Sequence, residues 1–433
     1  MDPLISWTAD IPAIVRILLV FGIMVPGIRR GWSLGSVFLA GAAVLGWVFG
    51  LGPIAIIRSA ASALIHPQTV SLAVVVSLIL VFSHSLEKTG QMARLLEGFK
   101  GLVSRPKVSL VIFPALIGLL PMPGGAIFSA PMVKNLGSGH PLNVSQLSYI
   151  NYWFRHIWEY WWPLYPGILL TTALAGIDVW HLVLFTAPMT VVAVGAGFWP
   201  LRGSVVRLEP AGVRGALAPF LKELAPIAGV IVMGLAFGVL LGAVPIDIIH
   251  AVAKELGLIL ALLAAIFWVW RRNQMPWTER GAVLWDRALL KMVYMIAAIL
   301  VFKGIMEDSR AVDLVSREMI RWHIPLIPMA ILLPFLVGSV VGITIAFVGT
   351  TFPILISLVQ AFDQQTLMLP YLMLALTSGF LGVLVSPLHL CLLMSNQYFK
   401  TTLAPVYRHM RIPLTVMFVA AVAYFVLLRY LML

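Results

Sequence analysis

Long uninterrupted apolar runs constrain the fold of this chain more than any other feature. Of its 433 residues, 61% are hydrophobic and only 11% are charged, and the mean hydropathy is +1.00. Such runs suit membrane-crossing helices, whereas a membrane β-barrel needs short alternating segments. We therefore predict an all-α polytopic membrane protein. The expected spans lie at about 10–27, 33–51, 68–86, 146–177, 181–200, 222–244, 249–270, 284–305, 366–395 and 412–432.

The distribution of Lys and Arg predicts which side of the membrane each loop faces. The formal net charge of +12 is high enough for a nucleic-acid partner. The excess lies in alternate loops, however, as expected for positive charge retained on the inner side, so we expect no nucleic acid. The outer segments then carry only Arg58, Arg310, Arg317 and Arg321. This predicts a multi-pass protein of a prokaryotic cytoplasmic (inner) membrane, with both termini outside.

The chain contains a weak internal repeat. Residues recur at an offset of 220 in the pairs Val81 and Val301, Phe82 and Phe302, Glu87 and Glu307, Pro114 and Pro334, Leu116 and Leu336, Gly118 and Gly338, Ala126 and Ala346. A looser match pairs Trp162-Pro163-Leu164 with Ser386-Pro387-Leu388. We predict two inverted repeats of five spans, residues 1–200 and 222–433, joined by a cytoplasmic linker at 201–221. Chance similarity between two apolar sequences is the alternative.

Two further apolar segments, at about 107–135 and 324–358, are predicted to form re-entrant hairpins. The first is interrupted by Pro121-Met122-Pro123-Gly124-Gly125, and the second by the stretch from Gly342 to Thr351. Broken backbone at membrane depth is tolerated only inside protein or beside a watery cavity. In the second hairpin we expect a threonine of Gly349-Thr350-Thr351 to cap a half-helix that continues through Pro353, so that positive helix ends from both hairpins meet. Ordinary kinked membrane helices are the alternative.

Two spans, 146–177 and 366–395, are predicted to be discontinuous. In the first, Arg155, His156 and Glu159 fall within about one helical turn, before Pro163. Charged groups at membrane depth are costly and tend to be functional. Three alternatives stay open: an interfacial belt of Trp and Tyr, a structural ion pair between Arg155 and Glu159, and ordinary polar roles for the histidines.

These features together predict a pocket for a small anion, because positive helix ends suit carboxylates and other oxyanions. The candidate substrate contacts are Pro123, Gly124, Gly125, Asn151, Arg155, Thr350, Thr351, Ser386 and Asn396. The candidates for binding a cation or carrying a proton are Ser129, His156, Glu159, Thr344, Gly349 and His389. We expect no metal beyond a possible Na⁺ and no other cofactor. The single cysteine, Cys391, excludes an intrachain disulfide.

Amphipathic arms at about 88–104 and 308–323 are expected to lie in the interfacial plane and to connect a fixed scaffold with a moving core.

No zinc-ligand spacing, phosphate-binding glycine loop or nucleophile elbow occurs in the sequence, so we expect no enzyme. Two alternatives stay open: an exporter of a neutral or amphipathic compound, and a membrane-embedded enzyme that uses Arg155, His156 and Glu159.

Two motifs, LPMPGGAIFSAP at 120–131 and INYWFRHIWEYWWPLYPG at 150–167, resemble a prokaryotic integral membrane family known as domain of unknown function 401. That family resembles a branch of the ion transporter superfamily, which includes divalent anion/sodium symporters and citrate and gluconate carriers. The resemblance implies a homodimer with a scaffold domain, an elevator-type transport domain and substrate held between two hairpin tips. Where those symporters carry Ser-Asn-Thr, this chain carries Pro-Gly-Gly and Gly-Thr-Thr. We expect a secondary active transporter of a small organic anion, coupled to Na⁺ or H⁺.

Overall fold

The computed structural model describes residues 11–99, 102, 106–121, 125–137, 141–202, 217–243 and 253–433. These residues form helices and connecting turns, with no strand among them. Within these described ranges, eight helical segments are long and apolar enough to cross a membrane, by length and composition alone. The predicted all-α membrane-type fold is thereby confirmed.

The helix bounds follow the predicted spans closely. The α-helices are Ala13–Arg29, Leu34–Val48, Pro53–Ile65, Pro67–Lys88, Gln91–Phe99, Pro106–Gly118, Ala126–Gly137, Val144–Trp153, Pro166–Ala175, Val179–Thr186, Pro188–Gly197, Leu217–Gly242, Ala253–Arg272, Trp277–Leu284, Arg287–Asp308, Ala311–Arg321, Leu326–Val341, Thr344–Ala361, Met368–Val385, Leu390–Phe399 and Leu403–Met432. Short 3₁₀ helices are Phe154–His156, Trp199–Leu201 and Gln365–Leu367. Two helices, Pro53–Ile65 and Trp277–Leu284, were not among the predicted spans. With 13 and 8 residues they reach only about 20 Å and 12 Å, well short of a bilayer core of about 30 Å.

Helix starts recur at the same offsets as the sequence match. Helices that begin 220 residues apart start at Pro67 and Arg287, Gln91 and Ala311, Pro106 and Leu326; those 224 apart start at Val144 and Met368, Pro166 and Leu390, Val179 and Leu403. Packing partners recur as well. Ala126–Gly137 packs on Leu390–Phe399, and the corresponding Thr344–Ala361 packs on Pro166–Ala175. The helix order and these cross-contacts therefore agree between the two halves.

Both predicted hairpins are pairs of helices. The first hairpin consists of Pro106–Gly118 and Ala126–Gly137, which pack on each other, and the second of Leu326–Val341 and Thr344–Ala361. At about 1.5 Å per residue, the described lengths of Pro106–Gly118, Ala126–Gly137 and Leu326–Val341 are shorter than a bilayer core of about 30 Å, whereas Thr344–Ala361 is among the segments long and apolar enough to cross one. Residues 122–124 of the first turn, which include the predicted contacts Pro123 and Gly124, lie outside the described part of the chain.

The second hairpin turns at the start of the predicted interruption from Gly342 to Thr351, and the half-helix predicted to begin near Thr350 was wrong. The turn lies at Gly342 and Ile343, and Thr344–Ala361 continues as helix through Gly349, Thr350 and Thr351. Gly342 has a φ of 72° and donates its N–H to the Gly338 carbonyl at 2.8 Å, a common glycine helix end. Gly349 does not stop the helix, because one interior glycine costs only about 1 kcal/mol. Thr350 is therefore not a helix cap.

Helices occur within both predicted amphipathic arms, at Gln91–Phe99 and at Ala311–Arg321. Each buries one face; in the second arm this face includes Ala311, Val315 and Met319. The Glu318 carboxylate of that arm accepts the N–H groups of Ala13 and Ile14 at 2.6 and 2.9 Å, which caps the first helix. Most of the predicted linker, residues 203–216, lies outside the described ranges. The division into 1–200 and 222–433 thus stays a prediction.

Candidate functional site

Two discontinuous helices form the centre of the site. We call 154–165, between Val144–Trp153 and Pro166–Ala175, the first break, and 386–389, between Met368–Val385 and Leu390–Phe399, the second break. A proline ring clashes with the carbonyl four residues earlier, so Pro163 and Pro166 together keep the first break from closing into an α-helix. In the second break, Ser386 is extended (ψ 127°), as the residue before a proline tends to be.

The tip of each hairpin lies against one of these breaks. At the first hairpin, Gly125 leaves no space for a Cβ, because that atom would overlap the Arg155 guanidinium. At the second, a Cβ on Gly342 would come within 2.8 Å of the Ser386 hydroxyl oxygen. The Thr344 hydroxyl beside it donates to Glu159 Oε2 at 3.0 Å. The structure thus brings both hairpin tips and both breaks to one place.

Five polar side chains fill this place, and we call them the central cluster: Arg155, His156, Glu159, His389 and Cys391. All but the partly exposed Glu159 are buried. Arg155 and His156 are each 2% exposed, Cys391 is 5% and His389 is 8% exposed. His156 Nε2 lies 3.7 Å from Glu159 Oε1, and the two imidazole rings are 4.8 Å apart at their centroids. Such a concentration of ionisable groups is rare inside a membrane-type fold and is a site hypothesis by default.

The carbonyls freed by the first break have side-chain partners. Thr190 Oγ1 donates to the Ile157 carbonyl at 2.6 Å, and His156 Nδ1 contacts the Tyr152 carbonyl at 2.5 Å. Tyr165 donates to the Gly118 carbonyl of the first hairpin at 2.6 Å, and Trp158 Nε1 to Ala115 at 2.7 Å. These bonds hold the irregular backbone and the hairpin together, as buried polar backbone requires.

A second polar group, the amide cluster, lies next to the central cluster along the chain. Asn151 Nδ2 donates to the Ala126 carbonyl at 2.9 Å and to Ser395 Oγ at 2.8 Å, and its Oδ1 accepts from Ser129 at 2.6 Å. Asn396 Oδ1 accepts from Ser148 at 2.6 Å. Asn151 and Ser129 thus have full sets of partners inside the protein. That arrangement favours a structural role over the predicted contacts with substrate or cation.

Three predicted contacts lie away from the site. Thr350 and Thr351 are buried in the helix interior, and their hydroxyls donate to the carbonyls of Ala346 and Phe347. Gly349 packs against Ile299. The prediction that these three residues lie at a hairpin tip was wrong, because the helix begins several residues earlier, at Thr344.

The thiol of the central cluster was not among the predicted site residues. Cys391 follows His389 by two residues at the start of Leu390–Phe399, and it was considered only for disulfides. The signal was present, since a Cys and a His on one turn beside a break are unusual, but their partner His156 lies in the other half of the chain. Only the fold brings the three together.

A cavity of about 630 Å³ lies beside the first break. Its walls include Pro163, Leu164, Val230 and the pair Asp178 and Lys254, and they are more apolar than polar. The volume falls within the range of sites for small organic molecules.

Comparison with known proteins assigns the chain to a family. A family model described as "Protein of unknown function (DUF401)" matches residues 13–428, and the chain belongs to that family. No curated protein matches the chain.

Proposed function

We propose that this member of the DUF401 family is a secondary active transporter of a small organic anion of the carboxylate type, driven by Na⁺ or H⁺. One observation carries the proposal. Two helical hairpins end against two broken helices, and a buried arginine lies at the meeting point. Broken segments at corresponding places in two halves are the pattern of secondary transporters, whose substrates bind at such breaks.

Electrostatics favours an anion as the substrate. Arg155 supplies a permanent positive charge in a water-poor interior, and its planar fork of donors matches a carboxylate. The second hairpin adds the N-terminal end of Thr344–Ala361, where unpaired N–H groups and the helix dipole attract negative charge. A neutral substrate would gain from neither feature.

Alternating access follows from the repeat. In the proposal, the two halves are inverted repeats with opposite orientation in the membrane. The hairpins and breaks form a transport domain that moves against a scaffold built mainly from 13–48, 179–201, 217–242 and 253–272. A homodimer would hold the scaffold fixed. The recurring helix starts and exchanged packing partners support the repeat.

The test is ligand binding followed by uptake. Purified full-length protein is screened for thermal stabilisation by mono-, di- and tricarboxylates, in Na⁺ and in K⁺ buffers and at two pH values. A ligand at 100 times its Kd adds about 2.7 kcal/mol to the folded state. Stabilising acids are then tested for uptake into proteoliposomes under a Na⁺ or pH gradient.

Arg155→Gln is the informative variant, and Arg429→Gln, at an exposed position on the last helix, is its matched control. We expect Arg155→Gln to lose both the stabilisation and the uptake, and Arg429→Gln to keep both. Absence of gradient-driven uptake of every stabilising acid in wild-type vesicles, or undiminished uptake by Arg155→Gln, would overturn the proposal.

The exporter alternative rests on the cavity beside Pro163, whose apolar walls suit an amphipathic compound. The two functions differ in what they move. An exporter would be stabilised by apolar compounds without a carboxylate, and Arg155→Gln would not affect it. A membrane-embedded enzyme would convert the stabilising compound in detergent, where no gradient exists.

A further inference from the structure

We propose that His156, His389 and Cys391 form a binding site for a zinc-class metal ion, with Glu159 as the fourth ligand. This site goes beyond the proposed transport function, because it needs neither an anion nor a gradient. One ligand atom from each of the three residues lies within 4.8 Å of those of the other two. A tetrahedral zinc site needs ligand atoms about 3.3–3.7 Å apart, so a modest contraction brings them into range.

The two imidazoles are held in the orientation that a metal ligand needs. His156 Nδ1 lies 2.5 Å from the Tyr152 carbonyl, which can only accept, so Nδ1 carries the proton. His389 Nδ1 lies 3.2 Å from the Val383 carbonyl and 2.8 Å from the Tyr152 hydroxyl. That hydroxyl donates its own proton to the Leu384 carbonyl at 3.1 Å. Both rings therefore present Nε2 as the lone-pair nitrogen, with the outer-shell carbonyl contacts typical of metal-ligating histidines.

His156 Nε2, the ring nitrogen that faces the cluster, lacks a conventional hydrogen-bond partner among the described residues. His156 Nε2 is fully buried and has no hydrogen bond to a nitrogen or oxygen atom of the residues that the structure describes. Leaving a buried acceptor without a donor is unfavourable. Glu159 Oε1 lies 3.7 Å from this nitrogen, and a ring nitrogen of His156 lies within 4.8 Å of the Cys391 sulfur. A cation between these groups would satisfy all of them.

Ligand chemistry selects the metal class. Two imidazoles, one thiolate and one carboxylate suit zinc and related borderline ions, whereas Mg²⁺ and Ca²⁺ prefer oxygen ligands alone. The charges also fit. The negative thiolate and carboxylate balance a divalent ion next to the positive Arg155. Because Glu159 accepts from Thr344 at 3.0 Å through its other oxygen, the metal site would be linked to the tip of the second hairpin.

Cobalt is the probe for this site, since tetrahedral Co²⁺ bound to a thiolate gives a near-ultraviolet charge-transfer band and strong visible bands. Chelator-treated full-length protein in detergent is titrated with Co²⁺ and then with Zn²⁺. We expect about one Co²⁺ per chain, with the thiolate band, and complete displacement by Zn²⁺. Protein without such a spectrum, or with no bound metal in elemental analysis, would overturn the proposal.

Variants identify the ligands. Cys391→Ser should abolish the thiolate band and weaken Zn²⁺ binding at least about tenfold, the smallest loss found even for outer-shell partners of metal ligands. His389→Gln should weaken binding similarly, whereas His181→Gln, at an exposed position outside the cluster, should change nothing. Equal binding by Cys391→Ser and wild type would reject the assignment.

The wild type alone supplies a second measurement in case the variants misfold. Cys391 is the only cysteine of the chain, so thiol alkylation followed by mass spectrometry reports on this residue alone. A metal-bound thiolate is protected from alkylation. Zn²⁺ should slow the reaction at least about tenfold relative to Mg²⁺ at the same concentration, and equal rates would count against the site. None of these experiments measures transport, so their failure would not contradict the transport proposal. Failure of the uptake experiments would likewise not contradict the metal site.

Discussion

The two broken helices begin at corresponding places but are broken in different ways. In the first, the helix from Val144 ends at Trp153, a short 3₁₀ helix follows at Phe154–His156, and α-helix resumes only at Pro166. In the second, the helix from Met368 continues to Val385, and the break before Leu390 is short. Proline explains the difference: the first break contains Pro163 and is followed by Pro166, whereas the second has Pro387 and a leucine where the first has Pro166.

The longer break carries the charged groups. Arg155, His156 and Glu159 occupy backbone that is not α-helical, while the corresponding residues of the second half are within a regular buried helix. The contacts with the hairpins differ in the same way. Trp158 donates to the Ala115 carbonyl at 2.7 Å, and at the corresponding point Gly382 packs directly against the Phe335 carbonyl. One half thus supplies charge and hydrogen bonds, and the other supplies close packing.

The largest expected effect distinguishes the two buried asparagines. Asn151→Leu removes three hydrogen bonds and leaves Ser129, Ser395 and the Ala126 carbonyl without this partner. We expect a loss of about 3 kcal/mol or more in unfolding free energy, because each buried group left unpaired costs about 1–3 kcal/mol. Asn396→Leu removes one bond, from Ser148, and should cost about 1 kcal/mol. Unfolding in mixed micelles measures both.

The comparison fails if Asn396→Leu is the more destabilising of the two. In that case the second half, and not the first, would contain the structural polar network. If Asn151→Leu had the same unfolding free energy as wild type, the amide cluster would be loosely packed. Asn151 would then again be a candidate substrate contact.

Glycines at the hairpins test whether the two halves are equivalent. A Cβ at Gly118 would overlap the Arg155 carbonyl oxygen, and a Cβ at Gly338, 220 residues later, would overlap the Gly379 carbonyl oxygen. Backbone cannot move aside as a flexible side chain can. Gly118→Ala and Gly338→Ala should each cost about 1–3 kcal/mol. Gly22→Ala, which meets no atom within 4 Å, is the control and should be neutral or slightly stabilising.

Equal losses at the two positions would strengthen the case for a structural repeat. A large loss at only one of them would show that the halves pack differently at this contact, despite their matching helix starts. Melting midpoints of the purified variants decide between these outcomes.

Two threonines of the second hairpin test where its tip lies. Thr344→Val removes the hydrogen bond to Glu159 and should cost about 1–2 kcal/mol, together with a change in substrate or metal binding. Thr351→Val removes a bond to the Phe347 carbonyl within its own helix, and should cost less than about 1 kcal/mol with no effect on binding. Binding that is lost in Thr351→Val and retained in Thr344→Val would return the tip to the position inferred from sequence.

The sequence predicted the architecture well and the site only in part. Long apolar runs fix the spans, and the 220-residue match locates both hairpins because proline and glycine mark helix ends in either half. The tip of the second hairpin was misplaced because Gly342 and Gly349 both look like breaks. Only packing against Ser386 and His389 selects Gly342.

The central cluster could not be predicted as a unit, because its members come from distant parts of the chain. Arg155, His156 and Glu159 were recognisable as charged residues in an apolar context. Nothing in the sequence shows that His389 and Cys391 fold back onto them. Local pattern identifies the candidates, and tertiary contacts decide which of them meet.

The smallest expected effect concerns the starts of two corresponding helices, Val179–Thr186 and Leu403–Met432. Asp178 caps Val179–Thr186 by accepting the Trp180 N–H at 2.7 Å, and it also pairs with Lys254. At the corresponding position before Leu403, Thr402 makes no side-chain cap bond within the described structure. Asp178→Ala should therefore cost about 1 kcal/mol, whereas Thr402→Ala should be neutral. Asp178→Asn keeps a capping oxygen and loses only the ion pair, so it should cost less than Asp178→Ala.

The stability difference between wild type and Asp178→Asn also depends on pH, and the direction of the pKa shift of Asp178 gives the sign of that dependence. Burial acts to raise the pKa of Asp178, but the bonds from Lys254 and the Trp180 N–H outweigh it and lower the pKa overall. A lowered pKa stabilises the fold above the unfolded value of about 3.9, and this stabilisation is lost as the pH falls through the folded value. The stability gap between wild type and Asp178→Asn should be constant from neutral pH to mildly acidic pH and should shrink below about pH 4. If the stability difference between wild type and Asp178→Asn widened on acidification, Asp178 would not be paired with Lys254 in the folded protein. The contrast between the starts of Val179–Thr186 and Leu403–Met432 would then lose its electrostatic part.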